Sequence, residues 1–301
     1  MLDEAQIRSQ LRATDEYDRL AALGALMAAD VDASPYLAEV AASLGDPEVS
    51  VRQMAAAVLG KIGPPAAAVR PLCRCLTAPE DDLRAIASFA LGRGGRASVP
   101  ALRLMLQFSD PRTVSAAVSA LSQIGPEAKE SLADLEAMAP HAPLAVQMAC
   151  AAAAARISGE ASRGLPLLLR ALGHADPLVR KQALERITEL GPAAHPAIPR
   201  ILERTADAAA EVRAAGALTL GRIRAPASEV VSPMTRLLDD ASPEVRMNAM
   251  IVLASYGAEA GAALPALGRW TGDTDEKTSV AAKAAIERIS GKAQTRDEPS
   301  H

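Results

Sequence analysis

The chain has 301 residues, of which 50% are hydrophobic and only 2% aromatic, so its core must consist of closely packed Ala, Leu, Val and Ile. This composition suits helices in close contact better than a β-sandwich. The formal net charge of −4 argues against a nucleic-acid protein driven by bulk charge, although local basic strips stay open. Without an apolar signal core or a run of ~18 apolar residues, we expect a cytoplasmic protein with no membrane insertion.

The chain begins with helices that read as pairs. Residues 3–13 are predicted to form an N-terminal helix that covers a first pair, Asp15 to Ala29 and Pro35 to Leu44. From there one apolar position recurs every 30 to 33 residues, with a Leu or Ile about eight residues later and a Gly near the twelfth. After a first register near residue 18, this position is filled by Val51, Leu83, Thr113, Val146, Val179, Val212, Val245 and Thr278. A fixed period of this length indicates stacked repeats.

The segment from Asp176 to Pro192 shows how one repeat begins. Asp176 suits a helix N-cap, Pro177 fits the first helical position, and Gly191 with Pro192 stops the helix. A second helix follows in each repeat, opened in most repeats by a proline and rich in Leu. The stack ends with a lone closing helix from Glu276 to Ser290, before a polar tail at 292–301 that we predict to be disordered.

One helix pair of this size cannot bury its apolar face alone, whereas stacked neighbours can. The sequence therefore predicts an all-α fold: a right-handed α-α superhelical solenoid of about eight helix pairs with a C-terminal closing helix. No linker interrupts the period, so we expect a single domain over residues 1–291.

The recurring residues resemble those of the HEAT repeat, in its short bacterial form related to bilin-lyase-like repeats. They include Asp46-Pro47, Val51-Arg52, Leu59-Gly60 and their equivalents, and the resemblance covers roughly residues 15–290. It implies that the first helices lie outside and the second helices line a concave groove. It also implies a structural ladder between turn aspartates and first-helix arginines, broken at Val114, Gln147 and Ser279. The candidate members are Asp46, Asp110, Asp176, Arg52, Arg84, Arg180, Arg213 and Arg246.

The residue types that carry chemistry are few and scattered. Cys73, Cys75 and Cys150 are predicted to be small buried hydrophobes rather than metal or redox groups. The four histidines have no metal-ligand spacing, and the His-Glu pairs of HEAT-like di-iron hydroxylases are absent. We therefore expect no catalytic residues, metal, cofactor or small-molecule substrate. A tetrapyrrole (bilin) lyase-like or DNA glycosylase-like enzyme stays open as a weaker alternative.

One surface feature points to binding. An arginine recurs three or four residues after the proline position of the second helix, and further candidates lie at the same level. The predicted partner-binding residues are Arg74, Arg103, Arg170, Arg200, Arg204, Arg236, Arg269 and Trp270. The third repeat departs from the strip, with Glu130, Asp134 and Glu136 instead.

If the second helices line the groove, these guanidinium groups could hold carboxylates bidentately. We expect a non-enzymatic scaffold or adaptor that binds a partner protein with an acidic segment. Nucleic-acid binding along the same strip is the alternative, and a purely solubilising role for the arginines also stays open. A second basic row near the ends of first helices, which includes Arg222 and Arg288, is explained by the helix dipole.

Overall fold

The computed structural model describes residues 4–28 and 32–291, and over these residues every regular element is helical. The contacts divide the chain into two compact units: the first ends at Glu160 and the second begins at Ala161. The single domain over 1–291 and the right-handed superhelix stay predictions. Ala29, at the end of the second predicted helix, and the predicted tail at 292–301 lie outside the described residues.

The first unit consists of an N-terminal helix followed by alternating first and second helices. The N-terminal helix is α1, Glu4–Leu11, and the prediction of residues 3–13 was close. The first helices are α2 (Glu16–Met27), α4 (Val49–Ile62), α6 (Asp81–Arg93), α8 (Pro111–Ile124) and α10 (Leu144–Ser158). The second helices are α3 (Leu37–Ala42), α5 (Ala66–Cys75), α7 (Val99–Met105) and α9 (Leu132–Met138). Successive first helices pack side by side, α4 on α6 and α6 on α8.

The second unit continues the same alternation. Its second helices are α11 (Leu165–Ala171), α13 (Ile198–Arg204), α15 (Ala227–Leu237) and α17 (Leu264–Gly268). Its first helices are α12 (Pro177–Glu189), α14 (Ala210–Arg222) and α16 (Pro243–Ser255), and α18 (Glu276–Ile289) is the closing helix. The predicted all-α fold of helix pairs with a closing helix is therefore confirmed.

Local chemistry explains where the first helices begin. The Asp110 and Asp176 carboxylates accept hydrogen bonds from backbone N–H groups of the first turn, and Pro111 and Pro177 follow directly. After the first helix of a repeat, the structure contains an element that the sequence does not predict. The Gly/Pro turn within a repeat is often a short 3-10 helix, such as Gly191–Ala197, and Gly191 enters it at a φ of 57°.

The recurring apolar position is the centre of the core. Seven of its eight residues are at most 3% exposed, while Val179 is half-buried. Small residues let the first helices approach closely. A Cβ on Gly60 would lie 3.0 Å from Phe89 Cδ1, and one on Gly221 would lie 3.0 Å from Val252 Cγ2. This close approach accounts for a core that needs few aromatic residues.

The three cysteines are buried and form no disulfide, as predicted. Burial, with a smaller contribution from the neighbouring Cys75, raises the pKa of the Cys73 thiol to about 11. Within residues 4–28 and 32–291, none of the helices has the length and apolar character needed to cross a membrane.

Candidate functional site

The turns between repeats are held by a repeated arginine arrangement. In Arg180, Nη1 donates to the carbonyls of His174 and Ala175, at 2.8 Å each. The acceptors lie six and five residues before the arginine, and the same bonds are made by Arg19, Arg52, Arg213 and Arg246. We call each such arginine with its two carbonyls a rung. A rung ties the start of a first helix to the turn before it.

In several rungs the same guanidinium also bonds a carboxylate in the next turn. Arg180 donates from Nη2 and Nε to the two oxygens of Asp207, at 2.6 and 2.9 Å. Arg213 bonds Asp240 in the same way at 2.8 and 2.7 Å, and Arg19 Nε lies 2.7 Å from Asp46 Oδ2. These carboxylates are at least nine-tenths buried. Removing one partner of such a buried ion pair leaves the other charge unpaired, which strongly destabilises the fold.

Three assignments of the predicted ladder were wrong. Arg84 pairs with Asp81 of its own helix rather than with a carboxylate of a neighbouring repeat. Asp110 and Asp176 cap their own helices, whereas the missed residues Asp207 and Asp240 accept the arginines of the preceding repeat. The distinguishing signal is spacing: Asp207 lies six residues before its repeat's arginine, while Asp176 lies only four before Arg180. An aspartate at six residues points its carboxylate to the previous repeat, and one at four caps the helix.

The buried carboxylates have lowered pKa values. For Asp240 the hydrogen bond from Arg213 is the main cause of the lowered pKa, and burial opposes it. For Asp207 burial acts to raise the pKa, but the hydrogen bonds from Arg180 and from the N–H of Ala209, together with the charges of Arg180 and Arg204, lower it overall. Both side chains are therefore held in their charged form.

The predicted arginine strip divides into paired and unpaired members. In the second unit, Arg170 and Arg236 are exposed, and no ion pair engages them among the described residues. Arg200 pairs with Glu203 at 3.1 Å, and Arg269 pairs with Asp239 at 3.1 Å, yet both keep about half their side chains exposed. Arg170, Arg200 and Arg236 lie on α11, α13 and α15, and Arg269 directly follows α17. We call the surface that these four residues form the second-helix face.

Three further arginines of the predicted strip, Arg204, Arg103 and Arg74, lie outside the second-helix face. Arg204 is only 23% exposed, and it contacts Asp207 at 3.4 Å and the carbonyl of Leu172 at 3.3 Å. It therefore joins two turns rather than facing solvent. In the first unit, Arg103 Nε bonds Asp134 Oδ2 at 2.5 Å, which joins α7 to α9, while Arg74 is exposed and unpaired within the described chain. The sequence places Asp134 among the acids that interrupt the arginine strip, but it does not show that Asp134 pairs with Arg103.

Trp270 contacts the arginine of the last rung. The Arg246 guanidinium carbon lies 4.8 Å from the centre of the Trp270 ring, a cation–π contact. Trp270 is half-buried, and its Nε1 is buried with no hydrogen-bond partner in the part of the chain that the structure describes.

Two of the four histidines, His195 and His174, bond backbone groups. His195 Nε2 lies 2.9 Å from the carbonyl oxygen of Ile223, and His174 Nδ1 accepts the N–H of Asp176 at 3.1 Å. His174 occupies the position that Asp207 and Asp240 fill in the following turns. Among the described residues no three His, Cys, Asp or Glu side chains could hold a metal ion together.

Several solved structures are similar to this chain in fold. Yeast importin-beta has a TM-score of 0.58 at 12% identity, over 95% of this chain and 45% of that chain. The AP-3 complex gives 0.54 at 15% identity, over 90% and 54%. The phycocyanin lyase complex from Nostoc gives 0.48 at 21% identity, over 96% and 95%. No curated protein matches the chain in sequence. The structural likenesses concern the fold alone. A family model for HEAT repeats, however, matches residues 4–92, 69–155 and 198–287, and the chain belongs to the HEAT repeat family.

Proposed function

We propose that this protein is a non-enzymatic binding module that holds an acidic segment of a partner protein on its second-helix face. The observation that carries the proposal is the set of exposed arginines that the second helices of the second unit carry at or near their ends. Arg170, Arg236 and Arg269 lie at multiples of 33 residues, and the intervening position is Glu203, which pairs with Arg200. Regular spacing of one charge suits an extended partner that follows the stack of repeats.

The energetics of these arginines favour binding over stability. Arg170 and Arg236 have no ion pair to lose within the described residues, and the Arg269–Asp239 pair is more than half exposed on both sides. An exposed ion pair contributes roughly 0–1 kcal/mol, so a partner carboxylate can replace it at little cost. Arginine is also enriched among the residues that dominate interface energies. The guanidinium groups of Arg180 and Arg213, by contrast, are already bonded to two carbonyls and a buried carboxylate each.

The proposal assigns no reaction to this chain. Helix capping accounts for Asp110 and Asp176, and core packing accounts for the three cysteines, so the proposal needs no catalytic role for them. Nucleic-acid binding is the competing use of an arginine row, and it makes a different prediction about salt. Phosphate contacts release counterions, so affinity would fall steeply as salt rises.

The test is a charge reversal with a matched control. The variant Arg170→Glu with Arg236→Glu changes the second-helix face. The control, Arg222→Glu with Arg288→Glu, makes the same change in charge in the same unit at two exposed arginines, one on α14 and one on the closing helix α18. Binding of a fluorescent Glu-rich peptide and of a single-stranded oligonucleotide is measured by anisotropy, with partner capture from lysate beside it.

We expect the face variant to lose at least tenfold in affinity for the acidic peptide while the control keeps it. Equal loss in both pairs would mean that general charge, not the face, attracts the peptide. Tighter binding of the oligonucleotide, with a steep salt dependence that the face variant removes, would replace the proposal with nucleic-acid binding.

A further inference from the structure

A cleft of about 440 Å³ opens in the first unit where one rung is missing. It is lined by the turn after α7, the start of α8, the end of α9, the turn before α10 and the first turn of α10, including Phe108, Val114, Asp134, Met138 and His141. Its volume falls within the ~300–1,000 Å³ range of ligand sites. The cleft lies at the edge that carries the turns between repeats, and the arginines of the second-helix face do not line it.

The cleft has an internal template in the intact rung of the second unit. Residues 106–114 align with 172–180 without a gap, and both segments carry Leu, Asp and Pro at the same places. In the template, Arg180 Nη1 donates to the carbonyls of His174 and Ala175. The aligned residue is Val114, which has no donor. The corresponding carbonyls, those of Phe108 and Ser109, accept no hydrogen bond from any described residue.

The far side of the rung is also altered. Asp207, which completes the Arg180 rung, lies 27 residues after it, and the residue 27 after Val114 is His141. Both the arginine and its carboxylate are therefore replaced, and their space is part of the cleft. The other broken rung of this unit differs, because Gln147 Nε2 still donates to the carbonyl of Ala142 at 2.9 Å.

The groups around the cleft suit a guanidinium. None of its lining residues is Lys or Arg, and Asp134 contributes a carboxylate of which Arg103 bonds one oxygen. The ring of Phe108 is 45% exposed and can stack on a planar cation, as Trp270 does with Arg246. The cleft thus offers two carbonyl acceptors, a carboxylate oxygen and an aromatic face, while apolar Val114 and Met138 can contact an aliphatic stem.

We propose that this cleft binds the side chain of an arginine presented by a partner polypeptide, which takes the place of the missing rung. The incoming guanidinium donates to the carbonyls of Phe108 and Ser109, as Arg180 does to its own turn, and its other edge faces Asp134 and His141. The site is independent of the second-helix face, because it lies in the other unit and takes the opposite charge.

The test titrates the protein with Nα-acetyl-arginine amide, followed by NMR shifts of residues in and around the cleft. Nα-acetyl-citrulline amide, which has the same shape without the charge, is the matched control ligand, and free arginine tests for a small-molecule site. The blocking variant is Val114→Arg with His141→Asp, which rebuilds the rung from the chain itself. Phe108→Ala removes the aromatic face at a half-exposed position and keeps the test decisive if the blocking variant fails to fold.

We expect saturable shifts with the acetylated arginine amide, at least tenfold weaker binding of the citrulline amide, and no binding to the blocking variant. Phe108→Ala should weaken binding roughly 2- to 5-fold. Equal binding of the arginine and citrulline amides, undiminished binding to the folded blocking variant, or unchanged affinity in Phe108→Ala would overturn the proposal. Tighter binding of free arginine than of its acetylated amide would overturn the proposal that a polypeptide supplies the arginine.

Discussion

The buried ion pair between Arg213 and Asp240 should contribute much more to the free energy of unfolding than the exposed pair between Arg269 and Asp239. Asp240 accepts Arg213 Nε at 2.7 Å and Nη2 at 2.8 Å, and it also accepts the N–H of Ser242 at 2.8 Å. The variant Asp240→Asn keeps one oxygen for two of these bonds but turns an amide N–H₂ toward the Nε donor. One charge-assisted bond is lost and two donors face each other.

The magnitude follows from burial. The Asp240 side chain is 9% exposed and that of Arg213 is 18% exposed, so little solvent screens the pair. Breaking a buried pair costs up to about 3–5 kcal/mol, and a hydrogen bond to a charged group contributes about 1.5–3 kcal/mol. Because Arg213 keeps its bonds to the carbonyls of Asp207 and Ala208, we expect a loss of about 2 kcal/mol in the free energy of unfolding.

The neighbouring residue provides the control. Asp239 pairs with Arg269 at 3.1 Å, but both side chains are more than half exposed, so Asp239→Asn should cost under about 0.5 kcal/mol. Urea unfolding followed by circular dichroism and by the fluorescence of Trp270, the only tryptophan, compares the two variants. Losses within about 0.5 kcal/mol of each other would refute the argument from burial.

Three other predictions concern pH, packing and thiol reactivity. Because the pKa of Asp240 is lowered in the folded state, its contribution to the free energy of unfolding is fully present above the ordinary value of 3.8 and is lost as the pH falls through the lowered value. The loss in the free energy of unfolding caused by Asp240→Asn, measured by urea titration, should therefore be constant above about pH 5 and shrink below pH 4. In a Val252→Ala background, which lacks the methyl group 3.0 Å from a Cβ at position 221, Gly221→Ala should raise the free energy of unfolding by about 1 kcal/mol. In the presence of Val252 it should bring no such gain, and an equal gain with Val252 and with Ala at position 252 would contradict the predicted steric contact. With its pKa near 11, Cys73 should resist an aromatic disulfide reagent at pH 8 until urea unfolds the protein, and a rate typical of a free thiol in the folded state would contradict its burial.

The fold was predictable because its information is local and repeated. A helix start such as Asp176-Pro177 and a stop such as Gly191 depend on neighbouring residues, and the period supplies the same evidence many times. The 3-10 helices within repeats were missed because the Gly/Pro composition of Gly191–Ala197 predicts a turn without specifying its hydrogen bonds.

The candidate site was only partly predictable because pairing across repeats is not local. Arg103 reaches Asp134 and Arg269 reaches Asp239, each about thirty residues away, whereas Arg170 has no acid in reach among the described residues. The sequence shows the same residue type at the same register in all three. Only the packed structure separates arginines that hold the fold together from those free to bind.

The dual bonding of Asp207 has a consequence for how the second unit opens. Its carboxylate holds Arg180 of one repeat, its carbonyl holds Arg213 of the next, and Arg213 in turn reaches Asp240. Opening any one of these repeats breaks bonds that belong to its neighbours, which makes them a cooperative unit for hydrogen exchange. In the first unit Asp46 links Arg19 and Arg52 in the same way, but Arg84 pairs with Asp81 of its own helix and Val114 has no donor. Beyond Arg52, exchange in the first unit should therefore proceed repeat by repeat, so a partner bound there would meet a more readily deformed surface than one bound to the second unit.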